Sequence, residues 1–275
     1  MIIDSHQHFW KYDSERHAWI DDDMSDIRRD FLPYHLKEVY DENGIDGCVA
    51  VQADQTLEET DFLLGLAHEN DFIKGVVGWA DLRDKNVEET LEKYSSRQKL
   101  KGWRHIVQGE ADANFLLRSD FIRGISYLEK YDYTYDILVF PHQLGAVLEF
   151  VKRFPNQKFV IDHIAKPYIK DGYYEGWALL MEAIAKYENV FCKVSGMITE
   201  ADYNTWTPLE LQPYLEHVFE IFGSERVMFG SDWPVCLVAG EYKDVKKLVR
   251  DFISGLNSHD QDMIMGENAV AFYRL

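Results

Sequence analysis

Eight short apolar segments alternate with helical patterns along the whole chain, and this alternation constrains the fold more than any other feature. The segments are rich in Val, Ile, Phe or Trp, and their nearly continuous apolar character favours parallel strands covered on both faces. They span Ile2–His8, Asp46–Ala53, Ile73–Leu82, Leu100–Val107, Tyr135–Phe140, Lys158–His163, Val190–Gly196 and Arg226–Asp232. Eight strands that alternate with helices predict a single (β/α)8 barrel, the TIM-barrel fold.

Amphipathic periodicity predicts helices between these strands. The five clearest are Leu57–Glu69, Gln143–Phe154, Trp177–Tyr187, Leu209–Phe222 and Val245–Leu256. Thr56 followed by Glu59 predicts a capping box at the start of the first of them. Gly44 and Gly223 are typical of helix ends. The segment from Phe9 to Pro33 lacks clear periodicity, and a long loop after a first barrel strand indicates an active-site wall.

The length of the chain agrees with one barrel. The 275 residues are close to the roughly 250 residues of a typical α/β barrel. No composition shift, linker or short repeat divides the chain, so we predict one domain over residues 1–275. The alternative is an open doubly wound sheet. Neither a GxGxxG after the first strand nor a GxxxxGK[ST] occurs, which removes the main support for its nucleotide-binding versions.

Charge and cysteine usage exclude several partners. The chain has 48 acidic and 29 basic residues and a formal net charge of −19, whereas nucleic acid or an anionic membrane requires basic patches. Cys48, Cys192 and Cys236 stand far apart without a CxxC pair, which argues against a disulfide framework or a zinc ribbon. Without a signal-peptide pattern or an apolar run of about 18 residues, the sequence predicts a cytoplasmic protein with no membrane partner. The oligomeric state stays open.

Side chains that carry chemistry occur at the ends of three predicted strands. His6 and His8 lie two residues apart on the first strand, so their side chains point to the same side. His163 ends the sixth strand and Asp232 the eighth. Each one alone is also compatible with a core histidine or a helix-capping carboxylate. Because the carboxyl ends of barrel strands form the catalytic face, the three strand ends together favour an active site.

Four segments carry a resemblance to a known family. They are 3–10 (IDSHQHFW), 101–105 (KGWRH), 160–167 (VIDHIAKP) and 228–234 (MFGSDWP). These motifs resemble the amidohydrolase-2 group, which includes L-fuconolactonase, L-rhamnonolactonase and 2-pyrone-4,6-dicarboxylate lactonase. The terminal segment 266–275 is similar to the last helix of that group. The resemblance covers nearly the whole chain and implies a (β/α)8 barrel that hydrolyses cyclic esters, without specifying the substrate.

The resemblance also implies functional positions. It places metal or catalytic roles on the four strand-end residues His6, His8, His163 and Asp232. The binuclear sites of the superfamily use a carboxylated lysine or a glutamate on strand four and a further histidine on strand five. Here strand four carries the group's Arg104-His105, and His142 just past strand five is the nearest histidine. These departures favour one loosely held metal, or none, over two.

Lactone hydrolysis requires an activated water, a polarised carbonyl and a proton for the leaving alkoxide. We predict Asp232 as general base, a role that typically contributes on the order of 10²–10⁴-fold. The three histidines, with His163 foremost, polarise the carbonyl either directly or through one divalent metal. Three histidines and one aspartate suit zinc as ligand types. Chemistry without a metal stays open because a strained ester is readily attacked.

Further residues are candidates for contacts with a small sugar lactone. Arg104, His105 and His142 offer hydrogen-bond donors, although Arg104 equally suits a structural salt bridge. Trp10 and Trp233 offer aromatic faces that suit a sugar ring, although buried tryptophan more often serves packing. The negative net charge favours a neutral lactone over a dicarboxylate. Two other functions stay open: a metal-dependent non-oxidative decarboxylase of the same superfamily, and a catalytically inactive sugar-binding barrel.

Overall fold

Eight parallel strands stand in sequence order, each hydrogen-bonded to the next, in the computed structural model, which describes residues 1–275. The strands are β1 Ile3–Gln7, β2 Gly47–Val51, β3 Ile73–Gly78, β4 Leu100–His105, β5 Thr134–Ile137, β6 Phe159–Ile161, β7 Val190–Val194 and β8 Val227–Phe229. The ring closes where the His8 amide donates to the Trp233 carbonyl (2.7 Å) and the Asp232 amide donates to the His6 carbonyl (2.8 Å). The predicted (β/α)8 barrel is confirmed, and the open doubly wound sheet is excluded.

Helices connect successive strands, as the periodicity predicts. They are α1 Pro33–Asn43, α2 Leu57–Glu69, α3 Val87–Tyr94, α4 Ser119–Ile125, α5 Leu144–Val151, α6 Glu175–Ala185, α7 Pro208–Phe222, α8 Tyr242–Ile253, α9 Ser258–Asp262 and α10 Asn268–Tyr273. Gly44 ends α1 in the left-handed conformation (φ 64°, ψ 46°), which glycine adopts without steric cost. None of these helices combines the length and the apolar character that crossing a membrane requires.

Several strands end earlier than the sequence predicts. β6 ends at Ile161 and β8 at Phe229, so His163 and Asp232 follow their strands instead of terminating them. Both residues have positive φ angles, 54° and 58°, which lie outside the extended region. The backbone therefore leaves the strand ladder at these points, and the two side chains are carried on tight turns at the rim of the barrel.

Two apolar clusters hold the layers together. The larger cluster, of 69 buried residues, fills the space between the strands and the surrounding helices. The smaller cluster joins strand residues such as Ile3, Val49 and Met228 with Phe272 and Tyr273 of α10. Helix α10 therefore covers the amino-terminal end of the barrel and leaves the carboxyl-terminal end for the site.

The predicted capping box at α2 is only half formed. Thr56 Oγ1 accepts a hydrogen bond from the Glu59 amide at 3.2 Å, as expected. The Glu59 carboxylate does not return to Thr56; its oxygens accept from the Ala53 and Asp54 amides at 2.9 and 2.8 Å. Glu59 thus orders the turn that follows β2, at the catalytic end of the barrel.

We expect Thr56→Ala to lower the free energy of unfolding by about 0.5–2 kcal/mol, because one amide of the first turn of α2 loses its acceptor. Urea denaturation measures this change. The exposed Ser96→Ala is the matched control and should stay within about 0.5 kcal/mol of wild type. An unchanged midpoint for Thr56→Ala would contradict the role of this hydroxyl.

Candidate active site

The four strand-end residues meet at the carboxyl end of the barrel. Asp232 Oδ1 lies 3.3 Å from His8 Nε2, 3.8 Å from His163 Nε2 and 3.9 Å from His6 Nε2. His6 Nε2 and His8 Nε2 are 3.2 Å apart. All four residues are buried. The arrangement presents one carboxylate oxygen to three imidazoles.

Hydrogen bonding defines which imidazole nitrogens can accept. His8 Nδ1 lies 2.8 Å from the Val51 carbonyl, which only accepts, so Nδ1 carries the proton and Nε2 presents a lone pair. His6 Nδ1–H faces Asp162 Oδ1 at 3.2 Å, and its Nε2 faces Arg104 Nη1 at 3.2 Å. Because a guanidinium nitrogen only donates, His6 Nε2 is an acceptor.

Burial and neighbouring charges set the protonation states. Burial lowers the pKa of His6 and of His163 well below the ordinary value, so both imidazoles are neutral near pH 7. Burial by itself raises the pKa of Asp232, but the neighbouring His163, His8 and Lys166 outweigh it and leave that pKa below its usual value. The site therefore combines an ionised carboxylate with the neutral imidazoles of His6 and His163.

A left-handed turn positions His163. The four residues 163–166 all have positive φ angles, 54°, 48°, 61° and 47°, although none is glycine, and each such residue typically costs about 1–2 kcal/mol. Trp177 Nε1 donates to the Ile164 carbonyl at 2.7 Å and supports the turn. On the other side, His163 Nδ1 lies 2.8 Å from Ser195 Oγ. A Cβ at Gly196 would lie 2.5 Å from His163 Nδ1, so the imidazole requires glycine there.

A buried carboxylate, Asp4, joins β1 to the turn after β8. Its oxygens accept hydrogen bonds from two groups of Ser231, the amide at 2.9 Å and the hydroxyl at 2.6 Å. It also accepts from Tyr40 Oη at 2.9 Å, Tyr242 Oη at 3.2 Å and the His6 amide at 3.2 Å. Asp4 thereby fixes His6 relative to the turn that carries Asp232. The sequence motif contains Asp4, but its role became visible only from these contacts.

Below the histidines lies a buried network of charges that sequence reasoning missed. Asp162 Oδ2 accepts from Arg104 Nη1 at 3.0 Å, and its Oδ1 lies 3.0 Å from Lys193 Nζ. Lys193 also donates to Asp136 Oδ2 at 2.5 Å. Burial opposes ionisation of Asp162, but Lys193 and His6 outweigh it and hold the pKa of Asp162 well below its usual value. The only feature of the sequence that indicated this network was a lysine inside the apolar strand Val-Phe-Cys-Lys-Val.

A cavity of about 380 Å³ opens above this network. Its lining includes His8, Arg104, His163 and Asp232, and the segment predicted as an active-site wall contributes Trp19 and Met24. The volume lies within the ~300–1,000 Å³ typical of small-molecule pockets. A larger groove of about 640 Å³ lies on the outer surface between α7 and α8 and contains no histidine. The candidate catalytic residues therefore line the smaller cavity.

The structure places two predicted substrate contacts away from this cavity. Successive strand residues face opposite sides, so Arg104 points into the barrel and His105 points out. His105 Nε2 lies 2.6 Å from Glu110 Oε1, and its ring stacks on Phe115. His142 is exposed, with Nδ1 3.2 Å from Tyr168 Oη, and does not line the cavity. Of the three predicted polar contacts, Arg104 alone reaches it.

The two predicted aromatic contacts are also displaced. Trp10 and Trp233 are each only 2% exposed and lie behind the cavity wall. Trp10 Nε1 donates to the Arg29 carbonyl at 2.9 Å, and Trp233 packs edge-on against Phe31. Their apolar surfaces serve packing. The aromatic side chains that line the cavity are instead Trp19, which is 40% exposed, Phe140 and Tyr203.

The acceptor atoms fit one divalent metal. Tetrahedral zinc with Zn–N distances of about 2.0–2.1 Å separates neighbouring ligand atoms by about 3.3 Å, and His6, His8 and Asp232 present their atoms at 3.2–3.9 Å. A second triad of His6, Asp162 and His163 is close enough for a metal, but Asp162 is already paired with Arg104 and Lys193. Arg104 Nη1 lies 3.2 Å from His6 Nε2, and its charge opposes tight metal binding.

Comparison with known proteins adds four findings. Residues 3–275 match the family model described as amidohydrolase. The chain is 37% identical to an L-fucono-1,5-lactonase of Burkholderia multivorans, covering 99% of this chain and 96% of that protein. It is 34% identical to an L-fucono-1,5-lactonase of Burkholderia ambifaria, covering 99% and 95%. A crystal structure of an amidohydrolase from Burkholderia multivorans with bound zinc superposes with a TM-score of 0.96 at 37% identity, covering 100% and 99%.

We expect Lys193→Met to lower the free energy of unfolding by about 3–5 kcal/mol, because Asp136 and Asp162 lose their shared buried cation. Chemical denaturation measures the loss, with the exposed Lys158→Met as control. The double variant Lys193→Met/Asp136→Asn should regain part of the stability, since one unpaired charge is removed. If the single variant had wild-type stability, the network would contribute nothing to the free energy of unfolding.

Proposed function

The chain belongs to the amidohydrolase family, and from this premise we propose that it hydrolyses a sugar 1,5-lactone to the corresponding aldonic acid. The observation that carries the proposal is the Asp232 carboxylate held within 3.3–3.9 Å of three imidazole nitrogens at the floor of an open cavity. The two fuconolactonase relatives, which match nearly the full chain, support the substrate class.

Asp232 is the general base in the proposed mechanism. Its ionised Oδ1 accepts a proton from a water molecule in the cavity while the water oxygen attacks the lactone carbonyl carbon. The protonated Asp232 then donates this proton to the ring oxygen as the carbon–oxygen bond breaks. One group thus serves both steps. The hydroxyl of the water ends in the new carboxyl group, and its other proton ends in the new hydroxyl group.

Arg104 and His163 are the proposed partners of the carbonyl oxygen. Both line the cavity beside Asp232, and a guanidinium donor is suited to the negative charge that develops on this oxygen. Asp162 and Gln52 hold the guanidinium in place through its N–H groups, so Arg104 acts on the carbonyl oxygen through its positive charge. This assignment gives Arg104 a substrate role together with its salt bridge.

His6, His8 and Asp232 are the residues that would hold a zinc ion. A bound divalent metal supplies Lewis-acid polarisation and lowers the pKa of a coordinated water from about 15.7 toward roughly 7. The lone pair of His6 Nε2 suits this form. Hydrolysis without a metal relies on Arg104 and His163 at the carbonyl oxygen.

The charge of the cavity favours a neutral lactone. Its lining contains two cations, Arg104 and Lys166, and two carboxylates, Glu200 and Asp232. Lys101 adds no charge to the cavity, because its Nζ donates to the Arg274 carbonyl near α10. With no local surplus of positive charge and a chain charge of −19, the field slows the approach of a dicarboxylate.

We expect Asp232→Asn to lower kcat for L-fucono-1,5-lactone by on the order of 10²–10⁴-fold, because an amide cannot accept the proton from water. A pH indicator follows acid release. Asp81→Asn is the matched control, since Asp81 pairs with Arg83 outside the cavity. Wild-type turnover by Asp232→Asn, with the fold intact by circular dichroism, would contradict the assignment of the base.

The protein is dialysed against zinc, and the excess is removed. We expect it to retain close to one equivalent of zinc per chain, as measured by elemental analysis. His8→Ala should lose most of this zinc, because it removes one of three ligand atoms. His142→Ala, at the exposed rim, is the control and should retain it. A wild-type protein that binds no zinc would contradict the metal site while leaving the direct-donor mechanism intact.

A further inference from the structure

One wall of the cavity carries a charged pair that the proposed chemistry does not use. Lys166 Nζ lies 2.8 Å from Glu200 Oε1, and the two side chains are 16% and 14% exposed. Both residues line the same cavity as His163 and Asp232. A mostly buried ion pair that still faces a substrate cavity is positioned to contact what enters there.

The backbone fixes this pair relative to the catalytic groups. Lys166 is the last residue of the left-handed turn that begins with His163, and its amide donates to the His163 carbonyl at 2.8 Å. Glu200 lies in the loop 195–207 between β7 and α7, which starts with Ser195, the partner of His163 Nδ1. The Lys170 amide donates to the Glu200 carbonyl at 3.1 Å and ties the two segments together. A substrate held by the pair is therefore held at a defined distance from His163.

The pair offers a donor and an acceptor side by side. The ammonium of Lys166 has three N–H groups, of which Glu200 Oε1 requires one, and Glu200 Oε2 can accept a further hydrogen bond. Each hydroxyl of a vicinal diol both accepts and donates, so two neighbouring hydroxyls match this arrangement. Trp19, Phe140 and Tyr203 line the same cavity and provide apolar surface for the carbon face of a sugar ring.

We propose that Lys166 and Glu200 bind two adjacent hydroxyls of the lactone ring and thereby select polyhydroxylated lactones over plain ones. The inference rests on the proposed function and adds the residues that recognise the sugar. A site built around hydroxyls rejects an analogue without them, because the remaining N–H groups of Lys166 and Oε2 of Glu200 then lose water without gaining a partner. Lys166 and Glu200 act on substrate choice, whereas Asp232 acts on the chemistry common to all lactones.

The test compares two six-membered lactones, L-fucono-1,5-lactone with its hydroxyls and δ-valerolactone without them. For Glu200→Gln and Lys166→Met, kcat/KM for the sugar lactone should fall on the order of 10- to 100-fold, mainly through KM. The kcat/KM for δ-valerolactone should change by less than about 3-fold, since its ring offers no hydroxyl. Lys170→Met is the control, because Lys170 pairs with Asp202 at 3.2 Å next to the same loops but outside the cavity.

Two results in the variants would overturn the inference. Equal losses on both lactones would show that the pair only supports the loops, and unchanged kinetics on both would show that it contacts no hydroxyl. If Lys166→Met does not fold, the isosteric Glu200→Gln still tests the inference. Failure of the proposed function shows separately, in wild-type protein that opens neither lactone, and that result overturns both proposals.

Discussion

The buried carboxylate of Asp162 is the interaction on which the rest of the active site depends. It lies within 3.0–3.2 Å of Arg104, Lys193 and His6 in the interior of the barrel. An ionised carboxylate inside a protein is costly unless it is closely paired, so these contacts hold its partners in defined positions. Arg104 then points into the cavity, and His6 presents Nε2 to Asp232. The distances that define the site follow from this pairing.

The same network joins the two ends of the barrel. Tyr273 of α10 donates to Asp136 Oδ2 at 2.7 Å, Asp136 pairs with Lys193, and Lys193 contacts Asp162 and His6. A packing element at the amino-terminal end is thereby connected to the catalytic end through charged contacts. Asp4 has a similar role at the seam between β1 and the turn after β8. The contacts that close the ring therefore also position the residues of the site.

Sequence reasoning predicted the strands, the major helices and the four strand-end residues, because alternation and strand position are local properties. It could not assign faces inside the barrel. A parallel strand covered on both sides is apolar throughout, so nothing in the sequence showed whether Arg104 or its neighbour His105 points inward. The turn at residues 163–166 was equally hidden, since left-handed backbone is normally marked by glycine and none is present there. Lys193 and Asp162 became functional candidates only through their contacts.

In the proposed function, this site opens a neutral sugar lactone. The most direct test is parallel measurement of acid release from L-fucono-1,5-lactone and from 2-pyrone-4,6-dicarboxylate by the wild-type protein, corrected for spontaneous hydrolysis. We predict a kcat/KM for the neutral lactone at least roughly tenfold above that for the dicarboxylate, because the cavity has no surplus cation to attract an anion. Preferential opening of the dicarboxylate, or release of carbon dioxide without lactone opening, would contradict it.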